Sequence, residues 1–152
     1  MLNVAASHVG RSLFGSSDKP EHSNNQISET ARLIVPNAQI PGCSNAYCKF
    51  QLLHGPDWQR LGGMQDGITQ IAGRALGSCG GSALVWNFPL DVAYRASNVW
   101  GWPQLVVCVY GADWRGRDVI KGYGSLYLPT CIGRYAAHCI TLPHNFFHAC
   151  AS

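Results

Sequence analysis

Two histidines four residues apart, His144 and His148, have a spacing that suggests chemistry. On a helix they would share a face and could bind zinc. No glutamate accompanies them in the H-E-x-x-H sense, and nothing fixes Cys139 or Cys150 as a third ligand, so they read as tail residues rather than a metal centre. Calcium needs about six to eight oxygen ligands. The chain has eight acids, of which Asp18, Glu21 and Glu29 fall near the N-terminus and Asp91 falls inside a strand. Asp57, Asp66, Asp113 and Asp118 remain as loop candidates. Asp113 and Asp118 flank one turn, with Arg115 and Arg117 between them to neutralise it. These carboxylates read as turn formers and salt-bridge partners. Nucleophilic catalysis needs a nucleophile, a base and an orienting group in contact. Outside the tail and the N-terminal segment the histidines are only His54 and His138, and no G-x-S-x-G occurs. No catalytic, cofactor-binding or metal-ligating residue is assigned, and an enzyme is not expected.

Seven cysteines, Cys43, Cys48, Cys79, Cys108, Cys131, Cys139 and Cys150, stand at irregular spacings without a C-x-x-C. An odd count without a framework pattern favours the reduced state. Cys108 lies in an apolar run, where a thiol behaves as a small hydrophobe. The net charge is +3, and Arg115 and Arg117 are the one tight basic pair in the region expected to fold. Nucleic-acid binding needs a denser basic stripe, so none is expected. Apolar residues make up 47% of the 152 residues and charged ones 12%, a balance that hints at surface covered by partners. The length suits one domain.

Short strands would have to position these groups. Residues 1–30, rich in Ser, Asn and His, read as a disordered leader. Arg32–Val35 is a short strand closed by Pro36-Asn37, and Tyr47–His54 is a second, ended by Gly55-Pro56-Asp57. Asp66–Ile71 is of uncertain type, and Gly73–Ser82 reads as a flexible loop. From Leu84 to Tyr94 the alternation is clear: Leu84, Trp86, Phe88, Leu90, Val92 and Tyr94 share one parity, which predicts one buried face. Pro89 cannot donate to a ladder and marks an edge, a bulge or a split. Gln104–Tyr110 is apolar on both parities, as a central strand covered on both faces would be. Asp118–Tyr127 continues the pattern and Cys139–Leu142 is a last weak strand. Many short strands at such intervals predict an all-β sandwich.

Blocks within these strands carry a resemblance. Leu84-Val85-Trp86-Asn87-Phe88-Pro89, Gly101-Trp102-Pro103-Gln104, Val109-Tyr110-Gly111 and Lys121-Gly122-Tyr123-Gly124 stand in an order that resembles the ciliary B9 domain family. So do Tyr47-Cys48-Lys49-Phe50, Gly55-x-Asp57-Trp58, Gly67-Ile68-Thr69-Gln70-Ile71 and Gly133-Arg134. The resemblance runs from about Leu33 to Pro143. It predicts a B9 domain over residues 31–143 and a divergent tail over 144–152, as in a truncated or alternatively spliced product.

The resemblance implies a C2-like antiparallel β-sandwich without catalytic activity. It implies a subunit at the transition zone and basal body of the cilium, in the cytoplasm and cytoskeleton. Its partners would be other B9 domain proteins and the Meckel-syndrome and tectonic proteins, supporting cilium formation and a barrier to membrane-protein entry. The alternative is a peripheral module that binds phospholipid. The family reading makes Trp102 in Gly-Trp-Pro a structural corner and leaves the role of Trp100 open.

Overall fold

The computed structural model describes residues 2–13, 27–40, 43–76, 82–128, 135–136 and 140–141. They form strands β1 (Leu2–Leu13), β2 (Ile27–Ala38), β3 (Asn45–Leu53), β4 (Trp58–Gly63), β5 (Asp66–Ile68) and β6 (Ala72–Leu76). Further on come β7 (Ser82–Ala96), β8 (Gln104–Ala112), β9 (Asp118–Tyr127), β10 (Tyr135–Ala136) and β11 (Ile140–Thr141). All the pairings are antiparallel, and the described residues contain no helix. The all-β expectation is met, and a C2-like sandwich is compatible with the architecture.

One layer is built from β10, β1, β2 and β7, with β4 also paired to β7; the other from β5, β3, β8, β9 and β11. Strand β6 joins them, pairing with β7 through Arg74–Leu76 and with β3 through Ala72 and Gly73. One core fills the space between. Strand β2 contributes Ala31, Leu33 and Val35; β3 contributes Cys48, Phe50 and Leu52; β8 contributes Leu105, Val107 and Val109. Each set has the two-residue period of a half-buried strand.

Strand β7 carries the parity seen in the sequence. Leu84, Trp86, Leu90, Val92 and Tyr94 are buried, with Phe88 packed against them, while Val85 is 42% exposed. Several contacts cross the layers. The Trp86 indole Nε1 donates to the Ala46 carbonyl at 3.0 Å. The Phe50 and Phe88 rings lie 5.7 Å apart. The Gly67–Ile71 block adds a tie: Thr69 Oγ1 accepts from the Cys48 backbone N–H, and Gln70 Nε2 donates to the Trp86 carbonyl at 2.6 Å.

Several expectations change. The leader predicted as disordered includes β1, which pairs along β2 from Leu2↔Ala38 to Leu13↔Ile27. The leader is polar as a whole, but Leu2, Val4, Ala5, Ala6, Val9 and Leu13 make half of this segment apolar, and a neighbouring strand supplies its backbone partners. Residues 14–26 lie outside the described part. Strand β2 starts before Ala31, so Glu29, assigned to the leader, is fully buried opposite Tyr94.

Nor does Pro36 close β2. It lies at a bulge, where one residue of β2 faces Trp86 and Asn87 of β7. Asn87 there has φ 46°, a left-handed value that Asn tolerates. Of the readings open at Pro89, the split does not occur, since β7 runs unbroken through it. Strand β6 pairs β7 up to Leu84 and β4 pairs it from Val92, so among the described residues Pro89 lies in the interval between them.

Part of the Gly73–Ser82 stretch, read as a loop, is strand β6; β4 was not anticipated at all. The uncertain Asp66–Ile71 segment begins with strand β5. Strand β8 is central, between β3 and β9, but its two faces differ. Val106, Cys108 and Tyr110 are only half-buried, because no further layer covers the outer side among the described residues. Of the weak Cys139–Leu142 strand, Ile140 and Thr141 pair with β9. The Pro129–Gly133 turn and the histidines His144 and His148 lie outside the described residues.

The parity of β7 gives a direct test. Trp86→Ala removes a buried indole and a hydrogen bond between layers, and should cost about 3–5 kcal/mol in denaturant unfolding. Val85→Ala should cost less than about 1 kcal/mol, as exposed positions do. Equal losses would place the core on the wrong face.

Candidate interaction surfaces

The outer face of the second layer is a lattice set by register. Ile68, Lys49, Cys108 and Tyr123 form one row across β5, β3, β8 and β9. Asp66, Gln51, Val106 and Ser125 form the next, and Leu53, Gln104 and Tyr127 a third. Ile68, Tyr123 and Tyr127 are 57%, 47% and 62% exposed. A groove of about 390 Å³ lies over the β5, β3 and β8 members of the first two rows and Tyr110. Its charge is held in place: Lys49 Nζ sits 4.7 Å from the centre of the Tyr110 ring, which stacks on Tyr47 at 5.4 Å. The Tyr47 hydroxyl donates to Asp118 at 3.1 Å, and burial is the first cause of its raised pKa, followed by that bond. Such a face, apolar with a few fixed polar groups, suits contact with another macromolecule.

Two tryptophans stand at opposite ends of β8. Trp100, in the β7–β8 loop, is 78% exposed, while its carbonyl accepts from Trp58 Nε1 at 2.8 Å. Trp102 turns inward as the corner the sequence predicts. Its Nε1 donates to the Leu128 carbonyl at 2.8 Å, and its ring meets Trp58 edge-on at 4.8 Å. Gly101 makes the corner with φ +68°, its backbone against Gly55, where a Cβ would come within 2.6 Å of the Gly55 Cα. The Gly55 N–H closes the contact by donating to the Gly101 carbonyl at 2.8 Å. The other end carries Trp114, 77% exposed, with the Arg115 guanidinium 4.3 Å from its ring centre.

Of the loop carboxylates weighed for calcium, Asp57, Asp113 and Asp118 have protein partners. Asp113 Oδ1 accepts from the N–H groups of Arg115 and Arg117, and its Oδ2 from Arg117 Nε at 3.0 Å. The Arg117 N–H bond is the largest cause holding the Asp113 carboxyl below its ordinary pKa. Asp57 accepts from Asn98, Asp91 from Arg32 and Asp118 from Tyr47. Cys43, Cys48 and Cys108 are unbridged. Among the described residues no cluster of His, Cys, Asp and Glu could hold a metal ion, and no helix is long and apolar enough to cross a membrane. Sequence reasoning missed Trp114, Tyr123 and Ile68 as surface groups. Trp114 had a readable signal, since it lies in a glycine-bounded turn between two strands with no apolar neighbour in sequence. Tyr123 and Ile68 had none, because their face depends on register.

Residues 33–146 match the family model described as ciliary basal body-associated, B9 protein. The chain belongs to this family, and the match extends three residues past the boundary expected at Pro143. Over 109 residues it is 40% identical to B9 domain-containing protein 1 of Xenopus laevis, covering 72% of this chain and 52% of that one. It is 44% identical over 101 residues to the Mus musculus protein of that name, covering 66% and 48%. B9 domain-containing protein 2 of Danio rerio is 30% identical over 98 residues, covering 64% and 54%. The chain thus spans about half the length of the curated relatives it matches. The family is ciliary, and these relatives are named for a domain, not for a reaction.

The two loop glycines should differ on substitution. Gly101→Ala places a Cβ against Gly55 backbone, whereas Gly116, with φ +78°, has open space around the added atom. Gly116→Ala should cost about 1–2 kcal/mol from the left-handed backbone alone. Gly101→Ala should cost distinctly more and lower the melting temperature further. Acid should loosen the β8–β9 turn. Since folding lowers the Asp113 pKa, its stabilisation is present above the unfolded value and is lost as pH falls through the folded one. The Arg115 and Arg117 amide resonances should titrate together in that acidic window, and Asp113→Asn should remove the titration.

Proposed function

We propose that this chain is a non-catalytic subunit of a protein assembly at the ciliary transition zone. The family match across residues 33–146, continuous through both core layers, carries this reading. Its partners are other B9 domain proteins, with Meckel-complex and tectonic proteins in the same assembly. Its role is to support cilium formation and the barrier that limits which membrane proteins enter. The outer face of the second layer is the surface offered to the partner, because Ile68 and Tyr123 leave apolar area uncovered there.

In ciliated cells the tagged chain should concentrate at the ciliary base and co-purify with a B9 domain-containing protein 2. Ile68→Asp with Tyr123→Asp should reduce that co-purification at least tenfold while shifting the melting temperature little, since both side chains are exposed. Diffuse staining, or unchanged capture by the double variant, would count against the reading. Millimolar calcium should leave the melting temperature unchanged, because a ligand of the native state at many times its dissociation constant must raise it. A saturable rise abolished by Asp113→Asn would favour a calcium-dependent lipid module instead.

A further inference from the structure

Lys121 is 7% exposed, and the ion pairs among the described residues, Arg32–Asp91 and Arg117–Asp113, do not include it. A lysine so covered is almost never found without a partner. Its burial has a specific cause. Val109 pairs with Gly122 and Tyr110 with Ile120, so Lys121 is the extra residue of a bulge in β9. A bulge re-aims the side chain it carries. Gly111, on the buried parity of β8, makes the room: a Cβ there would lie 3.3 Å from Lys121 Cγ and 2.7 Å from Cys43 Sγ. The lysine stem therefore lies on the inner side, at the mouth between the two layers. Arg74 enters the same end from β6. It pairs with Leu84 of the core and so shares the inner side, yet it is exposed. Its N–H donates to the carbonyl of Ser44, the neighbour of Cys43, at 2.9 Å. Charge at this end does not cancel. The segments 38–46, 72–84 and 110–122, whose described residues build it, hold Arg74, Arg115, Arg117 and Lys121 against only Asp113 and Asp118. Asp113 is taken by Arg117, and Asp118 accepts from Tyr47. No acid follows Asp118 in the chain, so an excess of two cations remains.

We propose that the mouth between Arg74 and Lys121 is a docking site for a carboxylate carried by an acidic segment of a protein partner. A guanidinium presents a planar fork that matches a carboxylate, and an ammonium donates to it as a point charge. Both bonds are charge-assisted, and partial exclusion of water strengthens them. Recession selects the occupant. A flat surface meets exposed side chains first and does not reach an ammonium covered by its own chain. A projecting Asp or Glu side chain can enter beside it. The site lies on the inner side of the sheets, apart from the outer face of the second layer, so both surfaces can be engaged at once. It does not rest on the ciliary reading, and the two can fail separately.

The test is titration of the full chain into fluorescein-labelled pentaglutamate and pentaglutamine, read by anisotropy at low and physiological salt. Wild type should bind pentaglutamate about tenfold more tightly than pentaglutamine, and salt should weaken that binding. Lys121→Met keeps the apolar stem and removes the charge, so affinity for pentaglutamate should fall about tenfold. Its melting temperature should hold or rise, because no ammonium then stands beside the core without an acceptor. Arg74→Gln should weaken binding about fivefold, and Arg74→Lys should weaken it less. Arg95→Gln, which removes an exposed arginine on the outer side of β7, should bind as wild type does. Equal affinity for the two peptides, or equal affinity of Lys121→Met and wild type, overturns the proposal. A lowered melting temperature in Lys121→Met makes the lysine structural and also overturns it. An equal loss in Arg95→Gln shows that total charge alone drives binding, and the site fails. A phosphoserine peptide that outbinds pentaglutamate and loses its affinity in Lys121→Met assigns the mouth to phosphate and overturns the carboxylate. A chain that reaches the ciliary base but ignores pentaglutamate refutes this contact alone.

Discussion

Trp86 is where the two layers are held in register. Its ring is buried in the shared core, its indole N–H reaches the Ala46 carbonyl on β3, and its own carbonyl takes the Gln70 amide. A buried indole N–H without an acceptor would cost about 1–3 kcal/mol, so the ring can sit here only while β3 stays opposite β7. The bulge facing Pro36 and the left-handed Asn87 beside it set the local path of β7 at this crossing. Thr69 and Gln70, adjacent in sequence, grip one layer each. The relative placement of the sheets thus depends on a few directed bonds as well as on apolar burial, which is itself non-directional.

From that frame the ends of the sandwich acquire different characters. At one end Gly55 and Gly101 bring two loops into backbone contact, and Trp58, Trp102 and Tyr94 pack beneath them. This end is rigid because aromatic rings fill the space below a glycine contact that admits no side chain. At the other end the turn is organised electrostatically, by one carboxylate collecting two N–H groups and a guanidinium. Neither arrangement brings a nucleophile, a base and an orienting group into contact. Among the described residues the large exposed apolar groups include those on the outer face of the second layer and in the two loops that flank β8.

Much of the fold was legible where one strand face meets water and the other meets the core. Leu84 to Tyr94 announced its buried side because every residue of one parity is large and apolar, while Asn87, Pro89 and Asp91 interrupt the other. Tyr47–His54 and its Gly-Pro-Asp stop were equally plain. Legibility failed where the ladder was made by a distant neighbour. Leu2–Leu13 lies in a leader polar enough overall to read as disordered, and its partners come from the long antiparallel run of β2 and, briefly, from β10. Strand β6, weakened by Gly73 and followed by further glycines, reads as loop until β7 and β3 both pair with it. Glu29 looked like a solvated leader residue and is enclosed because β2 begins earlier than its apolar core suggests.

The sequence by itself determined the family, the all-strand class and the buried parity of β7, since each of these is written in local order and alternation. It also determined that catalysis had no obvious constellation, a matter of which residue types are present at which spacing. Tertiary structure decided which apolar residues remain outside. Val106, Cys108 and Tyr110 belong to a run that is apolar on both parities, and nothing local says that one of those faces lies open. Ile68, Lys49 and Tyr123 share one row only through register across β5, β3, β8 and β9. Trp102 and Trp100 are two residues apart, yet one is packed on Trp58 and the other is in solvent. The physical reason is the same throughout: a strand's pattern fixes which residues share a face, but what covers that face is supplied by segments far away in the chain.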